Sequence, residues 1–423
     1  MKSYLPYLCR AIELAEKGRG FVSPNPVVGA LLVRKGKIIA EDWHRKIGEG
    51  HAERNLLGLF TESVWPDDVL YITLEPCCHV GKTPPCTDII LEKGVKKVVV
   101  GLYDPNPLVR GKGVDMLRGW GVEVLVLEEE QGEIQRVIAK EERLKQSREF
   151  LHSAGVSGLL RRSNPEPSAP RNDSLEEKLL EDLKWQNRFF FKWVQQHRPW
   201  VSLKIAQTLD GRIVPERGQQ LWLTGKESQV HVHQMRAQYD AILVGAATVI
   251  DDDPALTVRN EKGKVIGLQP IPVVLDAALS VPLDRQVLHL GTIVFRGRQF
   301  RRRESRKLKL LEKGVQVLEV DTTEKGYLHL GQILDELAAR GVTSLYVEGG
   351  PSIWSSFLRE GLVDELMIYM APQFLGAGVL TFEDLGFEGA KELQFREMKQ
   401  LGNDVYVVYS LVAGGEFLNS SYG

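Results

Sequence analysis

Apolar residues recur at three- and four-residue intervals at the start of the chain, at Leu5, Leu8, Ile12 and Ala15. That spacing predicts a helix, which Gly18 and Gly20 close. The pattern then turns to short apolar runs. Val27–Val33 reads as a strand, Lys35-Gly36 as a turn and Lys37–Ala40 as the returning arm of a hairpin. A helix is expected from His51 to about Phe60, then the strand Val69–Leu74, a helix over Thr87–Lys93 and the strand Val95–Gly101. A helix near Val114–Arg118 and the strand Val122–Leu127 complete the series. Alternation of this kind predicts a sheet covered by helices on both faces.

After Glu128 the periodicity weakens. Ile134–Leu144 keeps a moderate helical pattern, but Ser163–Ser174 holds three prolines among small and amide residues and cannot build a core. A second series begins with a helix at Trp185–Val194 and the strand Trp200–Ala206. Thr224, with Glu227 three residues on, predicts a capping box at the head of a helix that carries Arg236. Strands follow at Ala241–Gly245, Val273–Asp276, Thr292–Arg296, Val315–Val320 and Ser344–Val347, with a helix over 329–340. The expected division is therefore residues 1–145, a linker or insertion over 146–184, and a second domain over 185–423. Nine Lys or Arg residues lie between Arg296 and Lys313. Phe300, Leu308 and Leu311 fit one face of a helix there, its other face solvated.

Composition agrees with two soluble domains: 423 residues, 43% hydrophobic and 26% charged. A net charge of −2 gives no case for general nucleic-acid binding. No apolar run reaches membrane-spanning length, and the N-terminus enters a helix without a signal-peptide pattern, so a cytoplasmic protein is expected. Three of the four cysteines, Cys77, Cys78 and Cys86, fall within one decapeptide, which suits a metal in a reducing compartment.

The candidate chemistry begins at His51-Ala52-Glu53. Pro76-Cys77 follows some two dozen residues later, and Cys86 lies nine residues beyond Cys77. One imidazole and two thiolates make three ligands of a tetrahedral zinc, with the fourth position left for water. Glu53 suits the proton shuttle. His-x-Glu with Pro-Cys is the signature of the zinc deaminases. A closed structural site would instead recruit Cys78 or His79, and it gives no reason for Glu53. Asn25, between two prolines in Ser23-Pro24-Asn25-Pro26, stands on a stiff loop where an amide could read a pyrimidine edge or merely complete a turn. In the second domain, Arg236 and Arg259 suit a phosphate monoester. Val347-Glu348-Gly349-Gly350-Pro351-Ser352 forms a strand, two glycines and a helix start, a phosphate cradle of moderate specificity.

These motifs, with Asp104-Pro105-Asn106-Pro107 and Lys204-Ile205-Ala206-Gln207-Thr208-Leu209-Asp210-Gly211-Arg212, resemble the bifunctional riboflavin biosynthesis proteins. The resemblance implies an α/β chain: an N-terminal cytidine-deaminase-like α/β/α sandwich plus a C-terminal dihydrofolate-reductase-like α/β domain. It implies one zinc per chain on His51, Cys77 and Cys86, Glu53 as catalytic residue, and substrate contacts at Asn25, His44, His79, Lys82 and Thr83. It implies NADPH contacts at Ala206, Trp222, Thr248, Asp252, Gly350, Pro351, Ser352, Ile353, Trp354, Ser355 and Ser356. Reductase substrate contacts fall at Gln220, Arg236, Leu256, Arg259 and Glu348. Small phosphoribosylated pyrimidines as substrates, no nucleic acid or membrane partner, and a homo-oligomer are expected. Cys78, Gln220 and Ser280 depart from the family pattern. A nucleic-acid base deaminase carrying a non-catalytic reductase-like module is the alternative.

Overall fold

The computed structural model describes residues 4–61, 63–81, 83–107, 109–129, 173–216, 221–300 and 303–411. Lys82, Gln220, the expected helix Ile134–Leu144 and most of the proline-rich stretch lie outside them. The chain divides into two compact units, Met1–Arg188 and Phe189–Gly423.

In the first unit, α1 (Leu5–Glu16) precedes the hairpin β1 (Gly29–Arg34) and β2 (Lys37–Trp43). Then come α2 (Ala52–Leu57), β3 (Val69–Leu74), α3 (Cys86–Glu92), β4 (Lys97–Leu102), α4 (Lys112–Gly119) and β5 (Glu123–Val126). The sheet order is β2-β1-β3-β4-β5. β1 runs antiparallel to β2 and β3, while β3, β4 and β5 are parallel. Of the residues whose spacing predicts α1, Leu5, Leu8 and Ala15 are buried while Ile12 is half-buried, and Ala11 and Leu14 complete the buried stripe. Leu31, Leu32, Leu70 and Ile72 are fully buried in the sheet. Each such side chain contributes about 1.5–3 kcal/mol of transfer free energy.

The expected first domain stops at residue 145, but the compact unit runs on to Arg188. The reason is α5 (Asp173–Gln186), in the stretch expected mostly as linker. It buries Leu179, Leu180 and Leu183. Just beyond it, Asn187 brackets Val27, accepting from its N–H at 3.0 Å and donating to its carbonyl at 3.1 Å. The prolines upstream carry no information about these contacts.

The second unit takes in all but the first residue of α6 (Arg188–Gln196), then β6 (Trp200–Thr208), β7 (Arg212–Val214), α7 (Lys226–Arg236), β8 (Ala241–Gly245), α8 (Ala246–Asp252), β9 (Ile271–Leu275) and β10 (Ile293–Gly297). They are followed by α9 (Glu304–Glu312), β11 (Gln316–Val320), α10 (Leu330–Ala339), β12 (Ser344–Val347), α11 (Pro351–Arg359), β13 (Glu365–Ala371), β14 (Val379–Leu380), β15 (Gln394–Leu401) and β16 (Asp404–Ser410). The main sheet runs β11-β10-β9-β8-β12-β6-β13-β16-β15. Its first seven strands are parallel, and β16 and β15 close it antiparallel. Strands covered on both faces read as unbroken apolar runs, as Ala241–Gly245 does with all five residues buried.

Two local expectations are corrected. Thr224 does not cap α7: Gly225 is the N-cap, and its N–H donates to Asp404 Oδ2 of β16 at 2.7 Å, as does the Ser228 hydroxyl at 2.6 Å. A carboxylate held by the sheet displaces the local hydroxyl. In the basic run, a helix forms, but Leu310 is its buried residue, with Leu308 59% and Leu311 46% exposed. Arg296, at the head of the run, is itself buried and ion-paired with Glu304 and Glu319.

Candidate active sites

In the first unit β3 and α2 deliver the ligands. His51 is the extended N-cap of α2. Cys77 follows β3, and Cys86 opens α3. The three ligand atoms lie within 4.8 Å of one another, with His51 Nδ1 at 3.5 Å from Cys77 Sγ and 3.3 Å from Cys86 Sγ. The Cys86 amide donates to the Cys77 carbonyl at 3.0 Å and sits 3.3 Å from its sulfur, pinning the loop between the thiols. The Cys86 thiol hydrogen-bonds Cys77 and, with His51, holds it well below the usual thiol range. Among the described residues Cys78 and His79 do not join this cluster. Burial, then Glu75, pushes the Cys78 thiol up. Two sulfurs and one nitrogen converging this closely fit zinc, with no fourth protein ligand to close the site among the described residues.

Glu53, in the first turn of α2, is 3% exposed, and its Oε2 has no hydrogen-bond partner among the described residues. Burial raises its pKa. A buried acceptor left unmatched is costly in a folded core and common at a catalytic position. His44 is buried and hydrogen-bonds Gly50 O through Nδ1 at 3.1 Å and Asn25 Nδ2 through Nε2 at 3.2 Å. Burial lowers its pKa, so the neutral ring donates at Nδ1 and accepts at Nε2. That fixes the Asn25 amide with its Oδ1 as an acceptor. His79 is exposed and Thr83 partly so, on the loop between the two cysteines.

Glu75, to which the sequence pattern assigns no role, organises the far wall. Its carboxylate accepts from the N–H groups of Asp104 (3.1 Å), Gly111 (2.9 Å), Gly113 (2.8 Å) and Val114 (3.3 Å). It thereby caps α4 and ties the Asp104–Pro107 loop to the residue before Pro76-Cys77. Gly113 permits the approach, since a Cβ there would lie 2.1 Å from Pro76 O. A carboxylate within an otherwise apolar run was the available signal.

In the second unit, the C-terminal ends of three adjacent parallel strands, β8, β12 and β6, carry Thr248 on α8, Glu348 with the Gly350 turn, and Ala206. Ligands of open α/β sheets bind at that end. Arg236 grips Glu348 with both prongs, Nε to Oε1 at 2.6 Å and Nη2 to Oε2 at 2.8 Å, and donates to Thr257 O at 3.0 Å. Burial alone would raise the Glu348 carboxyl, and Arg236 reverses this and holds it below the usual range. Lys204 of β6 shares the same field and is pushed down by burial. It lies within a sequence motif but is not singled out by it, although a lysine in an apolar strand was the signal. Arg259 donates to Thr257 Oγ1 at 2.9 Å, and buried Leu256 holds a left-handed φ of 51° in the same loop. Gly350 is the N-cap of α11, where a Cβ would meet open space, and being glycine it offers no capping side chain. Bare N–H groups there fit a dinucleotide pyrophosphate. Trp222, 80% exposed, and Asp252 lie at the surface.

Residues 1–102 match the family described as the cytidine and deoxycytidylate deaminase zinc-binding region, and residues 199–407 match the RibD C-terminal domain. The riboflavin biosynthesis protein RibD of Aquifex aeolicus is 38% identical over 95% of this chain and 97% of its own. That of Escherichia coli K12 is 32% identical over 94% and 97%. Among solved structures, Acinetobacter baumannii RibD (form 1) aligns with a TM-score of 0.74 at 30% identity, covering 97% of this chain and 99% of that one. The diaminohydroxyphosphoribosylaminopyrimidine deaminase/5-amino-6-(5-phosphoribosylamino)uracil reductase of Thermotoga maritima aligns at 0.72 and 32% identity, over 96% and 98%.

Proposed function

The chain belongs to the RibD family of riboflavin biosynthesis proteins, and on that premise we propose how its residues divide the two reactions. It is a pyrimidine deaminase joined to a reductase. The relatives span both halves of the chain, which removes the nucleic-acid base deaminase with a non-catalytic second module.

His51, Cys77 and Cys86 would hold one zinc per chain, which would supply Lewis-acid activation of the attacking water. Glu53 takes the water proton on Oε2 and returns it to the exocyclic amine, so that ammonia leaves from 2,5-diamino-6-(5-phosphoribosylamino)pyrimidin-4-one. Asn25 Oδ1, oriented by His44, accepts from the ring edge. His79, Lys82 and Thr83 hold the remainder of the substrate, and Glu75 keeps the opposite loop in place.

NADPH supplies the hydride for reducing the ribosyl group of 5-amino-6-(5-phosphoribosylamino)uracil to ribityl. Ala206, Trp222, Thr248, Asp252 and residues Gly350–Ser356, the N-cap and first turns of α11, hold the cofactor. Gln220, Arg236, Leu256, Arg259 and Glu348 hold the substrate. Because the Arg236 fork is closed on Glu348, Arg259 takes the substrate phosphate, while Glu348 and Lys204 face the sugar. No helix of the described residues is long and apolar enough to cross a membrane. A cytoplasmic homo-oligomer is proposed on the family resemblance alone.

The observation that carries this reading is the convergence of His51, Cys77 and Cys86 beside the unmatched oxygen of Glu53. Supplying the diamino substrate with and without NADPH, and following ammonia and NADPH absorbance together, tests it. Ammonia in both samples, with NADPH oxidation only after deamination, is expected. NADPH oxidation without prior ammonia release would overturn the order.

A further inference from the structure

Beyond the Gly350 turn the second unit opens into a cavity of about 800 Å³. Leu275 and Ala277, at and just past the end of β9, contribute to its apolar part with Leu328, Leu330 and Ile353, and Ser352 and Ser356 of α11 also line it. The volume suits part of a cofactor. Its position continues from where the cofactor pyrophosphate is proposed to sit.

Two cations face this cavity, Lys325 and Arg359. Arg359 is oriented by neutral oxygens, donating to Asp384 O at 2.8 Å and to Ser356 Oγ at 3.2 Å. Neither cation closes an ion pair with a carboxylate among the described residues, although Arg359 lies in the field of the neighbouring Glu360. The turn after β9 adds no third cation, because Ser280 there is tied to Asp276 by its amide and hydroxyl at 2.7 and 2.8 Å. Glu324, Glu360, Glu383 and Asp384 also line the cavity. Asp384 spends one oxygen on the Gly386 amide at 2.9 Å. Such carboxylates suit ribose hydroxyls, and without the two cations this lining would repel a phosphate dianion.

Given the cofactor site proposed at the Gly350 turn, on which this assignment rests, we propose that Lys325 and Arg359 bind the 2′-phosphate of the cofactor's adenosine. They would thereby set the preference of the reductase for NADPH over NADH. Arg359 offers a pre-oriented fork, which suits phosphate, and Lys325 adds a point charge across the cavity. A single charged hydrogen bond is worth about tenfold in affinity or more.

The test is calorimetric titration of the full-length protein with 2′,5′-ADP and with 5′-ADP, which differ by the 2′-phosphate. Wild type should bind 2′,5′-ADP at least about tenfold more tightly. Lys325→Ala, at an exposed loop position, and Arg359→Gln should each remove most of that ratio while leaving 5′-ADP affinity within about twofold. Wild type binding both nucleotides equally would overturn the NADPH reading and the two-cation assignment with it. A wild-type preference that survives in both variants would overturn the two residues and leave NADPH in place. Equal weakening for both nucleotides would assign the cations to another part of the cofactor and likewise refute the proposal.

Discussion

Replacing Glu53 by Gln keeps the size of the side chain and removes its capacity to carry a proton. General acid–base groups contribute about 10²–10⁴-fold. The structure argues for the upper half of that range, because among the described residues the groups closest to Glu53 are committed elsewhere. His44 is committed to Gly50 O and Asn25, and His51 and Cys86 are proposed ligands. The expected loss in deamination is therefore about 10³-fold or more, roughly 4 kcal/mol of transition-state stabilisation. Zinc should remain, since Glu53 is outside the cluster of three donors. The assay is single-turnover ammonia release on protein whose zinc content is measured alongside. NADPH oxidation with pre-deaminated substrate serves as the control for folding. A loss below tenfold, with zinc retained, would refute the shuttle and make the unmatched oxygen a packing feature.

Cys86→Ser, or chelation, should abolish both zinc and ammonia release yet leave reduction of the deaminated intermediate largely intact; loss of both activities in a folded sample would show that the sites are not separable. Arg259→Ala should raise the KM of the reductase step without changing deamination, and an unchanged KM would remove Arg259 from the phosphate site. Arg236→Met leaves a buried Glu348 without its ion-pair partner, with Lys204 and His233 still in its field, and should cost about 3 kcal/mol in denaturant unfolding, most of it recovered by Arg236→Met/Glu348→Gln. A single-variant cost below about 1 kcal/mol would mean the pair is solvated. Burial raises Asp104 to about 6 from 3.8. Its folded form therefore holds a proton that the unfolded chain has released, and stability falls as pH rises between those values, by up to about 3 kcal/mol. Asp104→Asn should flatten that slope in zinc-free protein; an unchanged slope would assign it to other groups.

Much of this protein was legible in one dimension, for identifiable reasons. Val69–Leu74 and Ser344–Val347 form strands with the expected limits, because short buried apolar runs are local signals. The spacing of His51, Glu53, Cys77 and Cys86 states a metal chemistry by itself, since ligand type and interval survive in sequence. Other features depend on residues far apart in the chain. Asp404 caps a helix that starts 179 residues earlier, at Gly225, displacing a local capping signal. Glu75 reaches Gly113 across 38 residues, and Arg236 closes on Glu348 across 112. The helix at Asp173–Gln186 joins the first unit through contacts that its proline-rich approach conceals. Leu310, rather than Leu308 or Leu311, turns inward because its neighbours in space decide which face is covered. Periodicity and ligand spacing are properties of neighbouring residues, so the sequence carried them. Partners for buried charges and uncapped helix ends are chosen by proximity after the sheet has formed, and the tertiary structure alone decided those.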